Sequence, residues 1–194
     1  MEDRCTDKTD EELVALVLKD QEYFGCLMKK YSTPLSRYIV RIIPSFRDSV
    51  DDILQEVFIK IYLNLNGFDP SLKFSSWIYR ITHNHAISLL RKENSRPKTV
   101  STDNNDEYDF FERYIADEQI NNKEMRYAKE EVAYVLENID QKYREVLVLR
   151  YLEEMNYDEI GDILKKPIGT VGTLISRAKT IFKEEYTKRY GTEK

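Results

Sequence analysis

An all-α fold of two small helical domains joined by a flexible acidic linker is predicted by three features of the sequence. Apolar residues recur at three- and four-residue steps through most of the chain, as in helices that bury one face. Six glycines and five prolines in 194 residues are too few for the many turns of a sandwich or barrel. Charge falls in blocks: net +5 over residues 71–100, −6 over 101–124 and +5 over 165–189.

The elements follow in order. Thr9 and Glu12 have capping-box spacing, and Leu13, Leu16 and Val17 share one face behind them, so helix one starts there. A second segment from about Asp20 carries Tyr23, Phe24, Leu27, Met28, Tyr31, Leu35, Tyr38, Ile39 and Ile42, with Pro34 an expected kink or break. Asp48 or Ser49 is expected to cap a third helix, whose buried stripe is Val50, Ile53, Leu54, Val57, Phe58, Ile61 and Leu65. Gly67-Phe68-Asp69-Pro70 breaks that pattern. Ser75 or Ser76 is expected to cap a fourth helix through Trp77, Ile78, Ile81, Ala86, Leu89 and Leu90, which ends in Arg91-Lys92.

Residues 93 to about 122 hold too few aliphatics to order themselves alone, although Phe110, Phe111, Tyr114 and Ile115 could dock locally. Periodicity resumes at Tyr127 and runs through Val132, Leu136, Ile139, Val146, Leu149, Ile160 and Ile163 to Val171, Ile175, Ala178 and Phe182. The expected division is 1–93, a linker at 94–124, and 125–194.

Several classes of function are excluded. Met1-Glu2-Asp3-Arg4 leads into acidic sequence, and no run approaches the roughly 18 apolar residues that cross a bilayer, so a cytoplasmic protein is expected. Cys5 and Cys26 are expected to be reduced thiols without a role. His83-Asn84-His85 invites a metal reading, but side chains two apart diverge on a helix and the chain has only two histidines. No metal, cofactor or catalytic group is expected.

Two constellations remain. Tyr157 to Leu164 is a short helix, Lys165-Lys166-Pro167 a turn, and Thr170 to Lys183 a basic second helix. That is a helix-turn-helix, with Gly161 where the helices could cross closely. Ile168, Val171, Ile175 and Ala178 are expected to face the core, leaving Thr170, Thr173, Ser176, Arg177, Lys179 and Thr180 for solvent or DNA. A packed hairpin with an ordinary charged face has the same pattern. In the first unit, Asp51, Asp52, Gln55 and Glu56 form a polar face, which composition alone reads as solvated surface. Between Phe68 and Asn84, aromatics alternate with Lys73 and Arg80, a mixture suited to single-stranded nucleic acid, with half of the rings expected in the core.

Taken together, Asp51-Asp52-Ile53-Leu54-Gln55-Glu56-Val57-Phe58, Phe74-Ser75-Ser76-Trp77-Ile78-Tyr79-Arg80-Ile81-Thr82-His83-Asn84, and Tyr157-Asp158-Glu159-Ile160 leading to Ser176-Arg177-Ala178-Lys179 resemble the signature segments of extracytoplasmic-function sigma factors of the sigma-70 family. The resemblance implies a transcription initiation factor, with core RNA polymerase, promoter DNA and an anti-sigma factor as partners. It implies a core-binding set of Asp51, Asp52, Gln55, Glu56 and Lys60. A minus-ten set of Phe68, Lys73, Phe74, Ser76, Trp77, Arg80 and Asn84 would recognise and melt DNA. A minus-thirty-five set of Thr170, Thr173, Ser176, Arg177 and Lys179 would read duplex. The alternative is a helix-turn-helix regulator that acts without replacing the sigma subunit, which leaves residues 48–92 unexplained.

Overall fold

The computed structural model describes residue 5, residues 8–95 and residues 123–191. The expected linker and its aromatic cluster at Phe110–Ile115 lie outside them. Among the described residues every regular element is helical.

Helix α1 (Asp10–Val17) begins with the expected capping box: the Thr9 hydroxyl accepts from the Glu12 amide at 3.2 Å, and the Glu12 carboxylate accepts from the Thr9 amide at 2.8 Å. Helix α2 (Phe24–Ile42) follows a short 3₁₀ turn and continues through Pro34. The expected break fails because Tyr31, Leu35, Tyr38, Ile39 and Ile42 are all buried along α2, and this packing outweighs the hydrogen bond that proline omits.

Helix α3 (Val50–Asn64) starts after Ser49, whose side chain makes no cap. Asp51 and Asp52 in its first turn face the positive end of the helix dipole instead. Helix α4 (Phe74–Asn94) also departs from expectation, since Ser75 and Ser76 lie inside it and Lys73 occupies the cap position without a side-chain bond. The Phe74 amide faces the Glu11 carboxylate of α1 at 3.5 Å, so a neighbouring helix supplies the acceptor that the local sequence lacks.

The second unit comprises α5 (Lys123–Asn138), α6 (Gln141–Leu147) running into a π-helical turn at Val148–Leu152, α7 (Tyr157–Leu164) and α8 (Ile168–Tyr190). A second capping box, Asn156 with Glu159, starts α7. Lys165 ends α7 in the left-handed region at φ 54°. A Cβ on Gly161 would lie 2.9 Å from the Lys166 carbonyl oxygen, so it is the turn itself, more than a crossing helix, that needs a small residue there.

One expectation needs correction. Cys5 and Cys26 are joined by a disulfide, with Cα atoms 5.6 Å apart, which pins the start of the chain to α2. The two helical units meet along several elements. Helix α7 packs on α4, and the end of α2 meets α5, α6 and the π turn. Arg144 ties this junction, donating to the Leu136 carbonyl at 2.6 Å and the Glu137 carbonyl at 2.7 Å while also reaching the Ile42 carbonyl that ends α2.

Candidate protein and nucleic-acid interfaces

The buried stripe of α3 is Val50, Ile53, Val57, Phe58 and Ile61. Its opposite side therefore presents Asp51, Asp52, Gln55, Glu56 and Lys60, all exposed. The same side carries Ile59 at 59% and Leu63 at 70% exposure, apolar residues with no local reason to face water. Both fall off the stripe's three- and four-residue steps, so their exposure is legible in the sequence. Glu56 lies 3.1 Å from His85 Nε2 of α4, though without the alignment of a hydrogen bond. Burial and the charge of Lys60 hold His85 below its usual range against the opposing pull of Glu56, so the imidazole is mostly neutral at pH 7.

On α4 and in the segment that leads into it, the seven expected residues separate into two groups. Phe68, Phe74 and Trp77 form one aromatic cluster with ring centroids 5.3 to 5.6 Å apart, and Phe74 is wholly buried. Ser76 is also buried, and its hydroxyl oxygen has no hydrogen-bond partner. Lys73, Arg80 and Asn84 reach the surface in front of this floor, with Arg80 partly covered and Asn84 exposed. Of the seven, the three aromatics and Ser76 are buried, and Lys73, Arg80 and Asn84 are the accessible ones.

On α8 Thr170, Thr173, Ser176 and Arg177 are exposed on the side opposite the buried Val171, Ile175 and Ala178. The Thr173 hydroxyl donates to the Gly169 carbonyl at 2.9 Å, which leaves its oxygen free to accept. Ile168, expected in the core, is 52% exposed because it precedes the first buried position of α8. Lys179 is exposed at the edge of that face, where with Lys183 it borders an apolar groove floored by Leu136, Leu147 and Phe182.

A row of inter-unit ion pairs escaped sequence reasoning. Glu153 accepts from Arg41 at 2.8 Å with one carboxylate oxygen and from the Tyr79 hydroxyl at 2.6 Å with the other. Lys73 donates to Glu159 at 2.8 Å, and Arg47 to Glu137 at 2.7 Å. No local pattern signals contacts between residues 74 to 112 positions apart.

Comparison with known proteins shows the family to which the chain is similar. The family described as Sigma-70 region 2 matches residues 27–96, and Sigma-70, region 4 matches residues 129–181. The ECF RNA polymerase sigma-E factor of Escherichia coli (strain K12) is 34% identical over 176 residues, covering 88% of this chain and 91% of that protein. The ECF RNA polymerase sigma factor SigW of Bacillus subtilis (strain 168) is 30% identical over 173 residues, covering 86% and 90%. Among solved structures, CnrH in complex with the cytosolic domain of CnrY aligns with a TM-score of 0.62 at 24% identity, over 90% of this chain and 95% of that one. The sigma factor RpoE of Bartonella quintana, in complex with the anti-sigma factor NepR, aligns with a TM-score of 0.56 at 17% identity, over 79% and 90%.

Proposed function

This chain belongs to the extracytoplasmic-function sigma factors, and from that premise we propose that its exposed surfaces divide the steps of promoter opening among α3, α4 and α8. As a member of the family it is a transcription initiation factor, which binds core RNA polymerase and directs it to promoters. The regulator that leaves the sigma subunit in place would account for α7 and α8 alone, whereas the region 2 match covers residues 27–96.

In the proposed division, Asp51, Asp52, Gln55, Glu56 and Lys60, flanked by Ile59 and Leu63, form the polymerase contact. Polar groups around exposed apolar side chains suit a protein partner. Lys73, Arg80 and Asn84, supported by Phe68, Phe74, Ser76 and Trp77, take the single strand at the minus-ten element. Thr170, Thr173, Ser176 and Arg177 meet duplex at the minus-thirty-five element, with Lys179 at the edge of that face. The working units are residues 1–93 and 125–194, joined by 94–124.

An anti-sigma factor is the proposed regulator, in line with the complex in which the Bartonella quintana neighbour was solved. The chain itself is assigned no chemical reaction. Among the described residues no helix is long and apolar enough to cross a membrane, and the proposed site of action is the cytoplasm, where the polymerase works.

The observation that carries this reading is the exposed α3 face, polar and apolar together. Its test is capture of core polymerase by the purified chain. Glu56→Lys should lose capture while keeping helicity and melting temperature, since exposed substitutions usually cost less than about 0.5 kcal/mol. Normal capture by that variant contradicts the assignment.

A further inference from the structure

We propose that the Cys5–Cys26 pair is a redox-modification site, with low-molecular-weight disulfides as oxidant and dithiol proteins as reductant, whose closed form fixes α1 against the start of α4 and so raises strand opening. The proposal rests on the assignment of α4 to strand opening and adds a chemical input to it.

The pair stands at one end of a continuous run of contacts. Cys26 lies on α2 about one turn before Lys30 and Tyr31, and its disulfide holds Cys5 just ahead of α1. Asp10, the first residue of α1, accepts from Lys30 Nζ and from the Tyr31 hydroxyl, each at 2.6 Å. Its neighbour Glu11 faces the Phe74 amide at the open end of α4. The Tyr31 and Phe74 rings meet edge-on, with centroids 5.8 Å apart, and Phe74 packs in turn on Phe68 and Trp77 of the minus-ten set.

Helix α1 has 8 residues, too few to stand alone in water. Its place is held by burial of Leu13, Val14 and Val17, by these polar contacts and by the covalent link. Closing a loop with a sequence separation of 21 favours the docked state by a factor on the order of 100. Centred on an even population, a factor of that size changes the docked fraction about tenfold. With α1 undocked, the Phe74 amide loses its acceptor and the first turn of α4 frays.

Two features suit the pair to reversible exchange. Its Cα atoms are 5.6 Å apart, a separation that is bridged without moving the backbone, so both redox forms fit one fold. Cys5 is partly exposed whereas Cys26 is buried, so exchange starts at Cys5. On oxidation the Cys5 thiolate attacks one sulfur of the disulfide RSSR and expels RS⁻, and the Cys26 thiolate then displaces the second RS⁻ from the mixed disulfide. Two electrons pass from the pair to the oxidant, and the two thiol protons leave with the two RSH formed. A dithiol reverses both steps and departs as its own disulfide. In the cytoplasm, the proposed site of action, protein disulfides are in most cases transient and redox-sensing.

The test sets the redox state of the full chain in glutathione buffers, removes the buffer, counts free thiols by alkylation and mass spectrometry, and adds core polymerase. Run-off transcription is then compared on a duplex promoter and on the same promoter with a pre-melted bubble, while hydrogen exchange of the chain follows the Phe74 amide. The oxidised chain should transcribe from duplex about tenfold better than the reduced chain, with equal activity on the bubble. Its Phe74 amide should exchange more slowly. Cys5→Ser should stay at the reduced level in every buffer. Glu11→Ala should still form the disulfide but give one low level of duplex transcription in both redox states.

A pair that stays dithiol in oxidised glutathione, or disulfide in excess dithiol, would overturn the site. Equal Phe74 exchange in the two redox states would overturn the link from α1 to α4. Faster exchange on reduction with unchanged duplex transcription would overturn the proposal through the reading it rests on, since α4 would not then open the strand. Equal losses on duplex and bubble would overturn it as well, because core binding and not opening would be the redox-sensitive step.

Discussion

The Tyr38 hydroxyl and His83 Nδ1 meet at 3.0 Å in the interior of the protein, one on α2 and the other on α4. Tyr38 is fully buried and its pKa is held well above the usual range, so the hydroxyl stays protonated, and the imidazole tautomer sets which of the two groups donates. Burial first, and then the charges of Arg91 and Lys166, lower the His83 pKa to about 4. Unfolded His83 therefore takes up a proton below about pH 6.5 while the folded form does not, and stability is lost as pH falls from about 6.5 towards 4. Glu145, 3.9 Å from Nε2, is raised by burial and acts in the opposite sense. Urea unfolding between pH 7 and 4.5 should show a decline of at most about 1.4 kcal/mol per pH unit from this residue. The decline should be steeper in Glu145→Gln and shallower in His83→Gln. A slope unaffected by His83→Gln contradicts the assignment.

The turn between α7 and α8 offers a pair of substitutions with opposite signs. Lys165 has φ 54°, a conformation that glycine adopts without the Cβ penalty. Lys165→Gly is expected to raise stability by up to about 1 kcal/mol. Gly161→Ala places a methyl group 2.9 Å from the Lys166 carbonyl oxygen and is expected to lower stability by about 1 to 3 kcal/mol. Thermal melts of the two variants check both.

The Cys5–Cys26 disulfide closes a loop with a sequence separation of 21. Loop-closure entropy for that length gives about 3 kcal/mol of stability, to be lost on reduction. Chemical unfolding with and without reductant measures it, and Cys5→Ser should be insensitive to reductant. Equal stability of the wild-type chain under both conditions contradicts the prediction.

Local signals in the sequence carried most of the helical architecture. The Thr9 and Glu12 box, the stripe from Val50 to Ile61, and the turn after Leu164 all rest on residues within four positions of one another, where periodicity and capping act. Failures came where distant contacts decide. Pro34 remains within α2 because of its packing, and α4 starts at Phe74 beside a carboxylate from α1. The second capping box, Asn156 with Glu159, was local and readable but was missed. At the candidate site, exposure of the α3 and α8 residues followed from helical phase, whereas the pairing of Glu153 with Arg41 and Tyr79 has no signature in either segment. Lys179 shows the limit of phase alone: it is exposed at the edge of the face shared by Thr173, Ser176 and Arg177, where it also borders a groove.

The central claim is that polymerase contact and strand opening reside on different helices, α3 and α4. Transcription by core polymerase with the chain, compared on a duplex promoter and on the same promoter with a pre-melted bubble, tests it most directly. Arg80→Ala and Asn84→Ala should capture core normally, fail on duplex and recover on the bubble, because a preformed single strand removes the unstacking cost of a few kcal/mol per flipped base. Glu56→Lys should fail on both templates. Full activity of the α4 variants on duplex, or recovery of Glu56→Lys on the bubble, would contradict the account.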